Sequence, residues 1–369
     1  SDAVTLATDG TCTAKITNRS NKNLIINGDM RIAQRGTSST SSGYYTVDRF
    51  QVTYANTDEA PTQSQVDVAS GTTPYTLGFR KAYRITNGNQ TGGLSADDTI
   101  RADTKLEAQD IANSGWNYKS PSSYITLSYW VKSSVAQEFF GYFYTADSPN
   151  YTYRWSLGSL SADTWTKITK TIPGNSNLVF DNDAEVGCWI NLLGIWGTDK
   201  TASDAAMNTW SAWDATKRST DQATTWYTTN DATFEITGVQ LTATDYCPDY
   251  PHISYGDELV RCQRYFRRDG GGQYSGYGIG VINSNAGGVF VFQLDPPMRA
   301  APTVTNDGNV RIYDGSANAN VTGWNTNRSS AKHFWIEPQT GSTSFTSGRA
   351  FLVGNNNDTS GYLNLSAEL

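Results

Sequence analysis

The chain is expected to be all-β, with two β-sandwich domains joined by a short helical connector. Three observations carry that expectation. Charged residues make up 17% of the 369 residues and hydrophobic ones 37%, both below the usual globular share. Aromatics reach 12%, with 11 Trp and 21 Tyr, and Ser, Thr, Asn and 33 glycines fill much of the remainder. Aromatic and β-branched residues suit pleated strands, while Gly, Asn and Ser suit the turns between them. Third, short segments of alternating polarity recur between turn-forming clusters, the pattern of a sandwich.

Residues 1–22 are polar, with alternating stretches at Val4-Thr5-Leu6-Ala7 and Ala14-Lys15-Ile16. They read as an N-terminal arm for attachment or assembly, since such a segment needs a partner surface to become ordered. A first domain follows over residues 23–245. It opens on the apolar stretch Leu24-Ile25-Ile26, read as a strand and stopped by Asn27-Gly28. Strands are expected at Tyr44–Tyr54, Phe79–Thr86, Tyr124–Lys132, Glu138–Tyr144, Thr152–Leu157, Trp165–Ile172, Cys188–Trp196 and Thr233–Leu241. In Ile125-Thr126-Leu127-Ser128-Tyr129-Trp130-Val131 one face is apolar and the other mixed, as for a strand with one buried side. Asp103–Asn113 and, less clearly, Thr201–Trp213 carry helical spacing.

The connector spans residues 246–268. Pro248 and Pro251 forbid regular helix before Ser254, and a helix is expected from Asp257 through about Tyr265. Leu259, Cys262 and Tyr265 or Phe266 share one face, and Arg261, Arg264 and Arg268 largely share another. So short a helix must pack on a neighbouring domain or on copies of itself. The second domain, residues 269–369, has strands expected at Val289–Leu294, Val310–Tyr313, His333–Glu337, Arg349–Val353 and Tyr362–Ser366. The unbroken run Val289-Phe290-Val291-Phe292 predicts a strand covered on both faces.

The net charge of −7 argues against a nucleic-acid partner, which would need basic surface to displace counterions. No 18-residue apolar run is present, so no membrane insertion by a helix is expected. The cysteines at 12, 188, 247 and 262 form no C-x-x-C pair, and with only two histidines no zinc site is expected. Four free thiols are expected.

Three segments together resemble a family of bacteriophage tail-fibre and virion appendage proteins. They are NLIINGDMRIAQRG (Asn23–Gly36), YTVDRF (Tyr45–Phe50) and YGDELVRCQRYF (Tyr255–Phe266). FEITGVQL (Phe234–Leu241) and PMRAAPTVT (Pro297–Thr305) lend support. The opening Asn-Gly-Asp and the FEITGVQL strand also resemble carbohydrate-binding modules of the jelly-roll kind. There the first and last strands lie close and often share a structural calcium. This chain has Gly238 where those modules commonly carry an acidic residue.

The resemblance implies a jelly-roll first domain, a homotrimer and a place on the virion surface after assembly in the host cytoplasm. It implies contacts with other virion proteins through the N-terminal arm and with host-surface glycan, and no catalytic residues. The connector residues Leu259, Arg261, Cys262, Arg264, Tyr265 and Phe266 are the expected subunit interface.

The candidate chemistry agrees with a non-enzyme. His252 lies in a Pro-flanked turn, and His333 precedes Phe334-Trp335 in a strand. Neither has a G-x-S-x-G partner, and both read as structural. A glycosidase needs two carboxylates across a cleft, whereas Asp97-Asp98, Asp181/Asp183/Glu185 and Glu107/Asp110 read as turns or solvated faces. No cofactor is implied. Calcium could be structural at Asp29 or at Asp181–Glu185, though the latter lacks EF-hand spacing.

Sugar rings stack on exposed aromatics, and the densest loop cluster is Trp210, Trp213, Trp226 and Tyr227, the expected glycan contacts. Trp116 with Tyr118, and Tyr151 with Tyr153 and Trp155, form lesser clusters. Trp155 and Trp189, inside strands, are assigned to the core. Two rival readings stay open: a decoration protein with no ligand, and a glycan depolymerase with facing carboxylates.

Overall fold

The computed structural model describes residues 23–341 and 345–369, with two short strands near the start, β1 (Val4–Leu6) and β2 (Cys12–Ala14). These two pair antiparallel. The rest of the expected N-terminal arm lies outside the described residues.

The first domain is a sandwich of two six-stranded antiparallel sheets. Its strands are β3 (Ser38–Ser39), β4 (Phe50–Ala55), β5 (Thr62–Asp67), β6 (Lys81–Thr86), β7 (Thr99–Glu107) and β8 (Tyr124–Ser133). They continue with β9 (Gln137–Thr145), β10 (Tyr151–Leu160), β11 (Thr166–Pro173), β12 (Val186–Trp196), β13 (Trp210–Ala212) and β14 (Thr233–Thr242). One sheet has the order β13-β10-β9-β12-β7-β4, the other β11-β8-β14-β6-β5-β3. This is the expected jelly-roll sandwich.

Alternation built it as expected. On β8, Ile125, Leu127, Tyr129 and Val131 point inward and are fully buried. They meet Phe139, Phe143, Trp155 and Ile190 of the facing sheet in one apolar cluster. Trp155 keeps its indole N–H satisfied by donating to the Tyr129 hydroxyl at 3.1 Å, which a buried Trp requires.

Leu24–Ile26 is not a ladder strand, but it runs beside β14 as the resemblance implied. Leu24 N donates to Leu241 O at 3.0 Å and Val239 N to Gly28 O at 2.8 Å. The Asn23 amide bridges Val239 O (3.1 Å) and Leu241 N (2.9 Å). Gly28 is required here, because a Cβ would sit 2.0 Å from Val239 O.

Two helical expectations are corrected. Asp103–Glu107 is strand, and only α2 (Ala108–Ala112), the second helix after α1 (Thr73–Thr76), is helical. β7 is hydrogen-bonded to β12 on one side and β4 on the other, and those two ladders outweigh local helix propensity. Thr201–Trp213 holds no α-helix; a 3-10 turn at Thr198–Lys200 precedes it and β13 ends it. α3 (Thr225–Thr228) follows.

The connector helix α4 (Tyr255–Gln263) begins two residues earlier than expected. Its N-cap is Ser254, whose hydroxyl accepts from Asp257 N at 3.1 Å, satisfying one of the free N–H groups of the first turn. Among the described residues no helix is long and apolar enough to cross a membrane. Cys188, Cys247 and Cys262 are free thiols.

The second domain holds β15 (Phe266–Gly270), β16 (Gly276–Ser284), β17 (Gly287–Gln293), β18 (Thr303–Asp307) and β19 (Val310–Tyr313). β20 (Asn318–Asn325), β21 (His333–Thr340), β22 (Ala350–Asn355) and β23 (Tyr362–Ser366) complete it. Its main sheet closes into a barrel, β16-β17-β21-β20-β19-β22, beside a three-stranded sheet β15-β23-β18. Closure removes the free edges of that sheet.

The Val289–Phe292 run is not covered on both faces. Phe290 is buried inside the barrel while Val291 is 51% exposed, since each barrel strand has an outer side. Tyr313, Leu352 and Ile279 lie in cross-strand register, and with Val281 and Val291 they make an exposed apolar row on the barrel wall.

Candidate functional site

The four aromatics expected at one ligand site are divided by the fold. Trp226 and Tyr227, on α3, are 0% and 1% exposed and cannot meet a glycan. The Trp226 indole donates to Thr233 O at 3.1 Å, and the Tyr227 hydroxyl to Asp98 at 2.8 Å. Trp210 packs edge-on against Phe143 and Tyr153 at the rim of the core and donates to Pro173 O at 2.7 Å. Trp116 is also buried and Tyr118 packs beside it. The glycan-contact expectation is corrected for Trp226 and Tyr227, because the segment after β12 folds back into the sandwich, while Trp210 stays half-buried at its rim.

Trp213 alone lies on the outer face of the β13-β10-β9-β12-β7-β4 sheet, where it completes a row that the sequence did not disclose. Its ring centroid is 4.7 Å from Tyr144 and 5.8 Å from Tyr142. Tyr144 in turn lies 5.6 Å from Trp189, and Tyr142 stacks at 6.2 Å on Trp196. Tyr142 and Trp196 are buried under the 197–222 segment, whereas Trp189, Tyr144 and Trp213 are half-buried. Trp189 therefore belongs to this face and not to the core, while Trp155 is core as expected. The available signal was β9 itself, where Phe140, Tyr142 and Tyr144 alternate with Phe139 and Phe143. A strand aromatic on both faces needs two apolar surroundings.

Polar groups flank the row. Arg101 Nε lies 3.2 Å from Asp103 Oδ2 and 2.6 Å from Thr53 Oγ1, with its guanidinium 4.9 Å from the Trp189 ring. Lys105 Nζ lies 4.7 Å from the same ring and donates to Leu369 O at 2.8 Å. Gln51 holds the other Asp103 oxygen at 2.6 Å. Arg154 is 2% exposed and donates to Ser211 Oγ at 2.7 Å. Arg218 lies 4.8 Å over Trp196 and 5.9 Å from Trp213.

Burial raises the carboxyl pKa of Asp103, against the pull of Arg101 and Gln51. It lowers the pKa of the cationic groups of Lys105, Arg154 and Arg218. Trp189 Nε1, Thr152 Oγ1, Arg154 Nε and Arg218 Nε are buried without a hydrogen-bond partner among the described residues. These four atoms lie beneath the surface, out of a ligand's reach. The half-buried aromatic planes, flanked by the partly exposed Arg101, Lys105 and Arg218, make a surface able to hold a flat, polyhydroxylated ligand.

The connector residues expected between subunits lie instead between the two domains of one chain. Glu258 accepts from Asn27 N, and Arg261 Nη2 donates to Asn23 O at 3.2 Å. Arg264 makes two bonds to Glu107, 2.8 and 2.7 Å, and the Tyr265 hydroxyl a third at 2.6 Å. Arg49 lies 3.4 Å over the Tyr265 ring and pairs with Glu368. Arg35 lies 3.5 Å over Phe266, and Gln34 donates to Phe266 O at 2.8 Å.

Cys262, Tyr265 and Phe266 are buried and Leu259 is half-buried. Cys262, Tyr265 and Phe266 are thus corrected as subunit contacts, being buried within the chain, while Arg261 and Arg264 are partly exposed and bonded to residues of their own chain. All three sequence motifs meet at this junction. Their residues build the joint between domains, and Arg49, donating to Lys105 O at 2.7 Å, reaches the flank of the aromatic row.

The residues present do not fit a calcium ion at the start of the jelly roll. Gly238 has φ +64°, and a Cβ there would meet the Phe79 ring at 2.7 Å, so no acidic side chain has room. Asp29 pairs with Arg31 at 2.9 Å. In the 181–185 turn, Asp183 accepts from Glu185 N and Glu185 pairs with Arg299 at 3.1 Å. Among the described residues no group of three or more His, Cys, Asp or Glu is placed to hold a metal ion. His252 packs on Phe79 and Tyr250, its Nε2 2.9 Å from Leu77 O. His333 is exposed on β21.

No protein-family model and no curated protein sequence matches the chain. Solved structures with similar stretches include the enzymatically active domain of tailspike protein 4 from bacteriophage CBA120 (9% identity, TM-score 0.32). That match covers 60% of this chain and 21% of the tailspike chain, so this chain spans about a fifth of it. A sugar binding protein from Bacteroides thetaiotaomicron matches at 10% identity and TM-score 0.33, over 60% of this chain and all of that one. The N-terminal cellulose-binding domain of Cellulomonas fimi β-1,4-glucanase C matches at 12% identity and TM-score 0.28, over 58% and 100%.

Proposed function

We propose that this chain is a bacteriophage virion appendage of tail-fibre type that binds host-surface glycan through the outer face of its first-domain sheet. The observation that carries the binding is the half-buried row Trp189–Tyr144–Trp213 with its flanking polar groups. Ring planes take the apolar faces of sugars, and the partly exposed Arg101, Lys105 and Arg218 beside them take hydroxyls. The virion role is supported by the three motifs Asn23–Gly36, Tyr45–Phe50 and Tyr255–Phe266, which here hold two domains in a fixed relation. A binding face displayed on a rigid joint suits an attachment organ at the virion surface, assembled in the host cytoplasm.

On this reading the protein is not an enzyme and carries no cofactor. A trimer would use the exposed barrel row of Tyr313, Leu352, Ile279, Val281 and Val291, since Cys262, Tyr265 and Phe266 of the connector are buried within their own chain. Contiguous exposed apolar surface of this kind marks interaction sites.

The test is retention of the purified chain on host surface polysaccharide, with Trp189→Ala and Trp213→Ala beside it and reducing-sugar release followed in parallel. Retention weakened about tenfold or more by either substitution, with no sugar released, is expected from loss of a stacking platform. Retention equal in all three proteins would remove the aromatic row from the reading. Sugar release would replace binding with depolymerisation.

A further inference from the structure

The charge on the aromatic face is the reverse of the charge of the molecule. The chain as a whole carries −7, yet Arg101, Lys105, Arg154 and Arg218 all lie along this one sheet face, around the Tyr142 hydroxyl and the Trp189 ring. Asp103 is the carboxylate among them, and it is committed to Arg101 and Gln51. Glu107, at the end of the same strand, is taken by Arg264 and Tyr265. Glu138, at the far end of β9, is held by Ser156. Asp147, Asp181 and Asp183 belong to the loops that follow β9 and precede β12. Asp214 stays at the rim, bonded to Thr216, with Arg154 and Lys217 as its cationic neighbours.

Arg154 and Arg218 form no ion pair with a carboxylate among the described residues, and each buries its Nε without a partner. Arg218 also feels the charge of Arg101, and holding such a desolvated guanidinium there costs stability unless an anion joins it. Neutral sugars need only the rings and a few hydroxyl partners, such as the partly exposed Ser211 on this face. Four cations exceed that need. A guanidinium presents a planar fork of donors that matches a carboxylate in two places, beyond the reach of a neutral hydroxyl.

We infer that the ligand of this face is an acidic glycan, a polysaccharide carrying carboxylate groups of the uronic-acid kind. The pyranose faces lie on Trp189, Tyr144 and Trp213, and the carboxylates meet Arg218 and Lys105, the partly exposed cations of the face. This inference rests on the glycan-binding reading above and narrows it to one chemical class. It also explains why an acidic protein would concentrate basic side chains on one sheet face, since like charge elsewhere keeps polyanions from binding unspecifically.

The test is affinity electrophoresis of the full chain through gels containing polygalacturonate, hyaluronate, each of these after reduction of its carboxyl groups to alcohols, and neutral β-glucan. The expected result is retardation by at least one acidic polymer and loss of that retardation on carboxyl reduction. Arg218→Gln and Lys105→Gln, both on partly exposed side chains, should each weaken it about tenfold, and added salt should weaken it further. Equal retardation by an acidic polymer and its reduced form, or retardation by neutral glucan alone, overturns the acidic inference and leaves glycan binding standing. Retardation by none of the polymers overturns both.

Discussion

Glu107 and Arg264 form a two-point bond across the domain boundary, Arg264 Nε to Oε1 at 2.8 Å and Nη2 to Oε2 at 2.7 Å. Glu107 is the last residue of β7 and its side chain is fully buried. The Tyr265 hydroxyl reaches the same carboxylate at 2.6 Å, so one acid fixes both the connector and the strand entering the second domain. Burial alone would raise its pKa, but Arg264 and Tyr265 outweigh it and hold the carboxyl below its usual range.

Replacing Glu107 with Ala should therefore cost about 3–5 kcal/mol at neutral pH, the usual cost of breaking one side of a buried pair. A depressed carboxyl contributes stability above its unfolded value and loses it as pH falls through the folded one. The gap between wild type and Glu107→Gln should accordingly narrow on acidification below about pH 4.5. Denaturant unfolding of both proteins from pH 7 to pH 3 checks this, and a gap constant with pH would contradict the pairing.

Asp48 has the opposite sign. Burial pushes its carboxyl up to about 6, against the hydrogen bonds from Gln34 and the charge of Arg35. A raised carboxyl makes the folded state the stronger proton binder between its unfolded value and about 6, so the wild type gains from this group as pH falls through that window. The gain should be about 2–3 kcal/mol between pH 7 and pH 4. Stability curves of wild type and Asp48→Asn should diverge across that interval, and parallel curves would refute the assignment.

Core and face aromatics should separate cleanly in mutants. Trp226→Ala removes a fully buried ring and should cost about 3–5 kcal/mol, while the surviving folded protein keeps its glycan affinity. Trp213→Ala, on the half-buried outer face, should cost much less stability and most of the binding. Melting and retention measured on the same two samples decide the matter; a binding defect in folded Trp226→Ala would place the ligand elsewhere.

Gly238 tests the closed end of the jelly roll. With φ +64° and the Phe79 ring 2.7 Å from where a Cβ would stand, Gly238→Ala should destabilise by about 1–3 kcal/mol. Gly238→Asp should cost more and should not be rescued by calcium. A calcium-dependent rise in the melting temperature of Gly238→Asp would reopen the ion site.

A trimer held by the barrel row should fall apart when Ile279, 72% exposed, is replaced by Lys. Light scattering of wild type and Ile279→Lys reads this directly. A monomeric wild type would end the trimer proposal for this chain.

Much of the architecture was legible in the sequence. Period-two alternation placed β8, β10, β11 and β14 within a few residues, because one face of each had to be apolar. Pro251 and the Ser254–Asp257 pair placed the connector helix for local steric and capping reasons. The edges and the polar strands were not legible: β5 and β16, rich in Gln, Ser or Gly, are held by ladders on both sides and not by apolar alternation of their own.

The sequence by itself determined an all-β chain in two parts with a short helix between them, since composition and alternation act locally. Only the tertiary structure decided which aromatics face a ligand. Alternation divides a strand into two faces, but in β9 both are aromatic, and no local rule says which one looks inward. It also decided what the connector helix touches, because Arg264 meets a carboxylate 157 residues away. Contacts of that separation are chosen by the packing of whole sheets, and the apolar helix face was the same whether a second copy or its own domain was to cover it.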